Sequence, residues 1–574
     1  MVFAVFAAHT GVANVTKDIA SAACENERAR DRFMRARYSF EERMSFNSVV
    51  FGCRRTFACV PLVPLAIAFL GVASPSPEPS ATVPPEIAQL RAKIDAARGK
   101  RPTNERVVET FDEDGRTSTR TTIHEGDDER VREVDGPFVT ERGTFGGQDW
   151  HQNENGLTVL DQPRPGGEAE ERHTLTLTHI TSPIVADVIA DLNPKGVGTT
   201  TYVDPATSRI VRFDRIRPNE TYVTTYDDFR RNDGYERPWH EHTSDGIKVD
   251  EEDRRILSVE TAGITPAQVA IAPPRRALVI FPAGTHTVQL PVHLDSQNHW
   301  IVRVQVGTRG LDFILDTGAD AGIVMDEGVA RSLGLTLYTE GSNSSNAGRF
   351  VQSAAIVPQM NVGPLKMTDV AVTVVPSLRM DDPDSHASAV GLLGFDFIAS
   401  EALALDYEHG TVTATDYDTF AAPTDPASIT IPIRVGGQGP ETDVWLDGRL
   451  GERFEIDTGG AGGVMITDLF TRRYPGVTRT FIPSGGNIEL SGVGGVFMAP
   501  VYAVPEMRIG NTTFKQFSAI VIDSDRIYTF GGLDGVIGPE LLRYFTVTTD
   551  YADSALYLLP NNLGHQARSS HPAR

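Results

Sequence analysis

Two short runs dominate what this 574-residue chain can become. The first is Leu311-Asp312-Phe313-Ile314-Leu315-Asp316-Thr317-Gly318-Ala319-Asp320, and the second is Arg453-Phe454-Glu455-Ile456-Asp457-Thr458-Gly459-Gly460. Each reads as a strand ending in Asp-Thr-Gly. An apolar patch follows in each, Gly322-Ile323-Val324-Met325 and Gly463-Val464-Met465-Ile466, and then a helix candidate at 327–333 or 468–474. Further on, each half carries two apolar residues and a glycine, Leu392-Leu393-Gly394 and Val536-Ile537-Gly538. A helix-like segment (395–399; 540–544) and an Asp-Tyr hairpin (403–407; 547–551) close each half. The same order twice marks a duplicated structural unit. A lone Asp-Thr-Gly would read as a surface turn, because Asp and Gly favour turns. Here apolar strand text precedes each acid, so both acids are expected at the ends of core strands.

This arrangement resembles the pepsin-like and retropepsin-like aspartic peptidases, over Val288 to Pro560. Asp-Thr-Gly-Ala-Asp in the first half is especially similar to retroviral proteases. The resemblance implies a mainly β, bilobal fold, with Asp316 and Asp457 as the catalytic carboxylates. Two carboxylates a few Å apart resist double ionisation and share one proton. The ionised member then activates water while the protonated one hydrogen-bonds the substrate carbonyl. Thr317 and Thr458 are expected to cross-brace the two loops, and Gly318 and Gly459 to let backbone approach the carboxylates. Gly394 and Gly538 should lie where a chain passes through each loop, with the apolar pairs packed behind the acids. Asp320 is the candidate contact to substrate backbone. Lobe two has Gly460-Ala461-Gly462 at that place, without a polar side chain. Two glycine-rich segments, 341–348 and 491–495, compete for the role of flap.

Upstream the text differs. A helix candidate at 86–97 carries Ile87, Leu90 and Ile94 at helical spacing, with Gly99 to stop it. From about Arg106 to Val259, runs rich in Val, Ile, Thr and aromatics alternate with turn residues such as Asp114-Gly115 and Asp233-Gly234. They predict an antiparallel β domain. Tyr202-Val203-Asp204-Pro205-Ala206-Thr207 and Ile210-Val211 resemble a sheet hairpin of periplasmic lipoprotein-carrier proteins. His240-Glu241-His242 would put two imidazoles on one strand face. Without a third ligand this is a solvated surface, so no metal and no cofactor is expected.

The net charge of −23 gives no reason to expect nucleic acid, whose binding rests on Lys and Arg. The three cysteines, Cys24, Cys53 and Cys59, all precede residue 60, so no disulfide or thiol nucleophile serves the rest. Arg54-Arg55, an apolar run at 57–73 broken by Pro61 and Pro64, and a Pro/Ser-rich stretch form a secretory signal pattern. The run is short for a membrane span of ~20 residues. A signal peptide is therefore expected, with membrane association through this apolar segment as the alternative. Met44 is the natural initiator for such a signal.

The expected organisation is 1–85 start, signal and linker, 86–270 antiparallel β domain, 288–420 lobe 1, 429–560 lobe 2, and 561–574 disordered tail. The expected function is a periplasmic or secreted endopeptidase, monomeric in its catalytic unit, acting on peptide or protein substrates. Two other readings stay open: an inactive binding protein on the same scaffold, and a carrier of hydrophobes or lipoproteins.

Overall fold

The computed structural model describes residues 83–569 apart from 114–115, 164–172, 218–219, 247–250, 346–347, 377, 379, 382–387, 436–438, 461, 493–494 and 523–531. The signal pattern, the cysteines and the Asp114-Gly115 turn lie outside the described residues.

The N-terminal part starts with the helix Pro85–Arg98, which has a proline in its first turn and ends at Gly99 with φ 85°. Ile87, Leu90 and Ile94 form one buried stripe against Ile189, Val203 and Ile210 of the sheet. That sheet has thirteen antiparallel strands. Two meanders run outward from its middle, where the strand Asn104–Glu113 pairs with the last strand, Glu252–Glu260. Charged side chains are also buried here, in pairs that offset their desolvation. Arg254 bridges Glu109 (2.5 Å) and Glu241 (2.6 Å), and Arg120 meets Glu133 at 2.7 Å. His240 bonds Asp227 (2.9 Å) and Asp253 (2.6 Å), and His242 approaches the same Asp253 at 3.5 Å.

The rest of the chain is two β lobes of matching topology. In lobe 1 the strand Arg309–Leu315 lies between Trp300–Val306 and Gly391–Leu393; in lobe 2 Arg449–Ile456 lies between Glu441–Leu446 and Gly535–Ile537. Alternating Val, Ile, Leu and Phe fill the layer between the sheets of each lobe. A six-stranded sheet joins the lobes, because Ala402–Asp406 pairs with Phe545–Asp550 (Leu405 opposite Val547). Each of those strands also pairs within its own hairpin, with Thr411–Thr415 and Ala555–Pro560 respectively.

The connection between the β domain and lobe 1 is packed. Leu278 and Val279 belong to the lobe core, and Ile280 bridges Lys366. A turn of the β domain also docks on lobe 1. Asn155 exchanges hydrogen bonds with the Ala371 backbone (2.8 and 2.9 Å) and donates to Asp396 Oδ2 at 2.6 Å. Asn153 donates to the other oxygen of Asp396 at 2.5 Å.

One expectation is corrected. Within the stretch 561–574 expected to be disordered, Asn562–Ser569 form a helix, and residues 570–574 lie outside the described residues. Asn561 initiates it: its side-chain oxygen accepts from Gly564 N (3.0 Å) and its carbonyl from His565 N (2.9 Å).

Candidate active site

Both Asp-Thr-Gly turns follow strands held on two sides. The strand Gly391–Leu393 runs parallel to the one entering Asp316 (Ile314 opposite Leu392) and antiparallel to Ile323–Asp326, which leaves the loop. Gly535–Ile537 repeats this in lobe 2, parallel to Arg449–Ile456 and antiparallel to Val464–Ile466. The inserted strands accept the acids' own amides: Asp316 N to Leu393 O at 3.0 Å, and Asp457 N to Ile537 O at 2.9 Å. Gly394 N then bonds Gly322 O (3.0 Å), and Gly538 N bonds Gly463 O (2.7 Å). The apolar-apolar-Gly segments are thus threaded through the loops, directly behind the acids.

The two loops meet at the lobe boundary through their threonines, both buried. Thr317 Oγ1 donates to Ile456 O (2.6 Å) and accepts from Thr458 N (2.9 Å). Reciprocally, Thr458 Oγ1 donates to Leu315 O (2.8 Å) and accepts from Thr317 N (3.1 Å). Four buried hydrogen bonds therefore tie one lobe's turn to the other's.

This brace brings Asp316 and Asp457 into a mutual side-chain hydrogen bond. Each also accepts from a backbone amide of its own turn: Gly318 N to Asp316 Oδ1 (2.9 Å) and Gly459 N to Asp457 Oδ1 (2.8 Å). A Cβ at Gly318 would lie 2.6 Å from Asp457 Cγ, and one at Gly459 would lie 2.3 Å from Asp316 Cγ. Only glycine fits between each turn and the opposite acid. Burial pushes the Asp316 carboxyl well above the usual carboxylate range, and the charge of and hydrogen bond with Asp457 add to the rise. Burial raises Asp457 too, but the bond from Asp316, the Gly459 N–H and the nearby His299 hold it lower. The pair is therefore built to hold one proton, with Asp316 the better seat for it.

Asp320 is partly exposed on the loop beyond Asp316, and its amide donates to Gly318 O at 2.9 Å. It faces across the lobe boundary to Glu455, close enough for its charge to act there. Both flap candidates lie at the ends of long hairpins in matching places. One joins Tyr338–Ser345 to Gly348–Val362, and the other joins Ile482–Gly492 to Gly495–Ile509. The strands flanking the two candidates are thus equivalent, one pair per lobe, while residues 346–347 and 493–494 lie outside the described residues.

Two neighbours of the pair carried no motif. His299 contacts Asp295 through Nδ1 (2.9 Å) and Gly460 O through Nε2 (3.2 Å). Burial lowers its pKa, but Asp295 and the other oxygens around it raise it further, so the net shift is upward. Glu455 stands two residues before Asp457, near the end of the strand Arg449–Ile456 that leads into it. The substitution is visible in the sequence, where lobe 1 has Ile314 at the same distance before Asp316, and the register agrees.

Residues 302–397 match the family described as aspartyl protease, so this stretch is an aspartyl-protease-like region. No curated protein matches the chain. Among solved structures, soybean basic 7S globulin is similar at 10% identity and TM-score 0.29, covering 49% of this chain and 96% of its own. A LolA superfamily protein from Nitrosomonas europaea gives 10% identity and TM-score 0.25, over 32% of this chain and 96% of its own. A DUF1329 family protein from Desulfovibrio piger gives 11% and 0.24, over 32% and 95%.

Proposed function

We propose that the chain is an aspartic endopeptidase, with Asp316 and Asp457 sharing one proton across the lobe boundary. The observation that carries this reading is their mutual hydrogen bond, set between turns locked by Thr317 and Thr458. Asp457, as carboxylate, takes a proton from a water whose oxygen bonds to the scissile carbonyl carbon. Asp316 gives its proton to the carbonyl oxygen, leaving a neutral tetrahedral diol. Collapse of the diol breaks the C–N bond, with the amine nitrogen receiving a proton from the pair and a diol hydroxyl returning one. Burial of the pair strengthens each of these charge–dipole interactions.

Both acids belong to one chain, so a monomer contains the whole pair. Substrate would lie extended between the lobes, binding through main-chain hydrogen bonds with side chains in alternating pockets. In this reading Asp320 holds substrate backbone. The hairpins at 341–348 and 491–495 are its covers. The signal pattern at 54–85 supports a periplasmic or secreted location, and no helix among the described residues is long and apolar enough to cross a membrane.

The carrier reading gains nothing from the N-terminal sheet. Its apolar patch is already covered by Ile87, Leu90 and Ile94, and charged pairs are buried elsewhere on it. The test is cleavage of denatured protein from pH 3 to 8, with and without a statine-type mimic of the diol. Cleavage blocked by the mimic supports the reading, and absence of cleavage across that range refutes it.

A further inference from the structure

The two lobes are near copies, so a position where they differ in charge is informative. The ladders align Ile301 opposite Ile314 in lobe 1 with Glu441 opposite Glu455 in lobe 2. The parallel rungs agree, with Ile314 on Leu392 and Glu455 on Val536. In lobe 1 these positions form an apolar cluster of Ile301, Ile314, Ala389 and Leu392. In lobe 2 Glu441 is taken by Arg453 at 2.9 Å, which leaves Glu455 as the excess charge. No hydrogen-bond donor among the described residues reaches the Glu455 carboxylate.

The position two residues before each rung sharpens the contrast. In lobe 1 it is His299, whose imidazole crosses to Gly460 O of the other lobe. Its counterpart is Gly439, which follows from Ile456 N bonding Pro440 O at 2.9 Å. A Cβ at Gly439 would fall 2.2 Å from Glu455 Oε1 and 2.9 Å from Thr317 O. Where one half of the cleft holds a histidine over an isoleucine, the other holds no side chain at 439. Glu455 occupies that space, with Asp320 and the catalytic pair nearby. The protein places an imidazole on one side of the pair and carboxylates on the other.

We propose that Glu455 makes this half of the cleft select a peptide with a basic side chain, Lys or Arg, beside the scissile bond. This rests on the peptidase reading and names its substrate class. Glu455 is a specificity-determining residue: it lies close to Asp457 but is not needed to activate water. The carboxyl is pushed well above the usual range by burial and then by Asp457, Asp320, Asp316 and Glu441, with Arg453 and Tyr551 the other ionisable groups nearby. It is neutral at low pH and charges as pH rises, so selection for a cation should strengthen in that direction.

The experiment compares kcat/KM of the full chain on paired peptides carrying arginine or norleucine at each position flanking the bond, with products mapped by mass. Wild type should favour arginine at one position by about tenfold or more, increasingly so as pH rises. Glu455→Gln, which keeps the shape, and Glu455→Ile, which restores the lobe 1 residue, should bring the ratio to about one or below. Cleavage without a basic preference, or a preference that survives both substitutions, overturns this proposal alone. No cleavage of any peptide overturns the peptidase reading and this proposal with it.

Discussion

Thr317→Val tests how the two halves are held in register. The substitution keeps the shape and removes one hydroxyl, which deletes the bond to Ile456 O (2.6 Å) and the bond accepted from Thr458 N (2.9 Å). Both backbone groups stay at a buried junction where Thr317 is 2% and Thr458 0% exposed, so water cannot replace the lost partner. Each buried group left unsatisfied costs about 1–3 kcal/mol, so the variant should lose about 2–6 kcal/mol. Thr317→Ser, which keeps the hydroxyl, should lose much less. Thr458→Val removes the two reciprocal bonds and should cost about as much. The double variant should be less destabilised than the sum, because the first break already loosens the shared junction. The assay is denaturant unfolding, followed by fluorescence and by residual peptide cleavage. Valine variants as stable as wild type, or fully additive effects, would refute the brace as the element joining the lobes.

Other outcomes follow from the same contacts. Asp316→Asn should stabilise the fold at neutral pH more than at pH 4. Its carboxyl is raised on folding, so its stabilisation is present below the unfolded value and lost as pH rises through the folded one. An equal effect at both pH values, read from thermal midpoints, would contradict this. Glu401 is fully buried, with neither carboxyl oxygen partnered among the described residues, and burial alone pushes it well upward. Glu401→Gln should therefore raise the thermal midpoint more at pH 8 than at pH 5, and a uniform shift would count against that cause. Asn155→Ala should cost about 2–6 kcal/mol, since the Ala371 backbone and Asp396 lose a buried partner. Protease nicking at the 271–287 connection should increase with it, and unchanged resistance would mean that the docked turn is not what holds the domains together.

The region of the paired acids was legible in the sequence because its information is local and repeated. Asp-Thr-Gly after apolar strand text, and the Leu-Leu-Gly and Val-Ile-Gly segments downstream, are short patterns whose meaning does not depend on a distant residue. The helix at Ile87, Leu90 and Ile94 was legible for the same reason: a 3.6-residue period with a terminal glycine. What escaped depends on register or on contacts between domains. Glu455 stood opposite Ile314 in the aligned motifs, but it became informative only with its approach to Gly439 across the strands. His299 lies outside any motif, and the link of Asn153 and Asn155 to Asp396 joins residues 243 and 241 positions apart. The pairing of the first and last strands in the middle of the thirteen-stranded sheet is likewise a long-range contact that alternation alone cannot specify. The final helix was missed because its polar sequence suggested no packing, whereas a single asparagine cap starts it.

The account's central claim is that Asp316 and Asp457 act as one proton-sharing pair, and hydrolysis by Asp457→Asn measures it most directly. An asparagine there keeps the fold and removes the base that activates water. Turnover of a peptide cleaved by wild type should then fall by on the order of 10⁴-fold, with circular dichroism unchanged. Turnover equal to wild type in a folded variant would contradict the shared-proton mechanism outright.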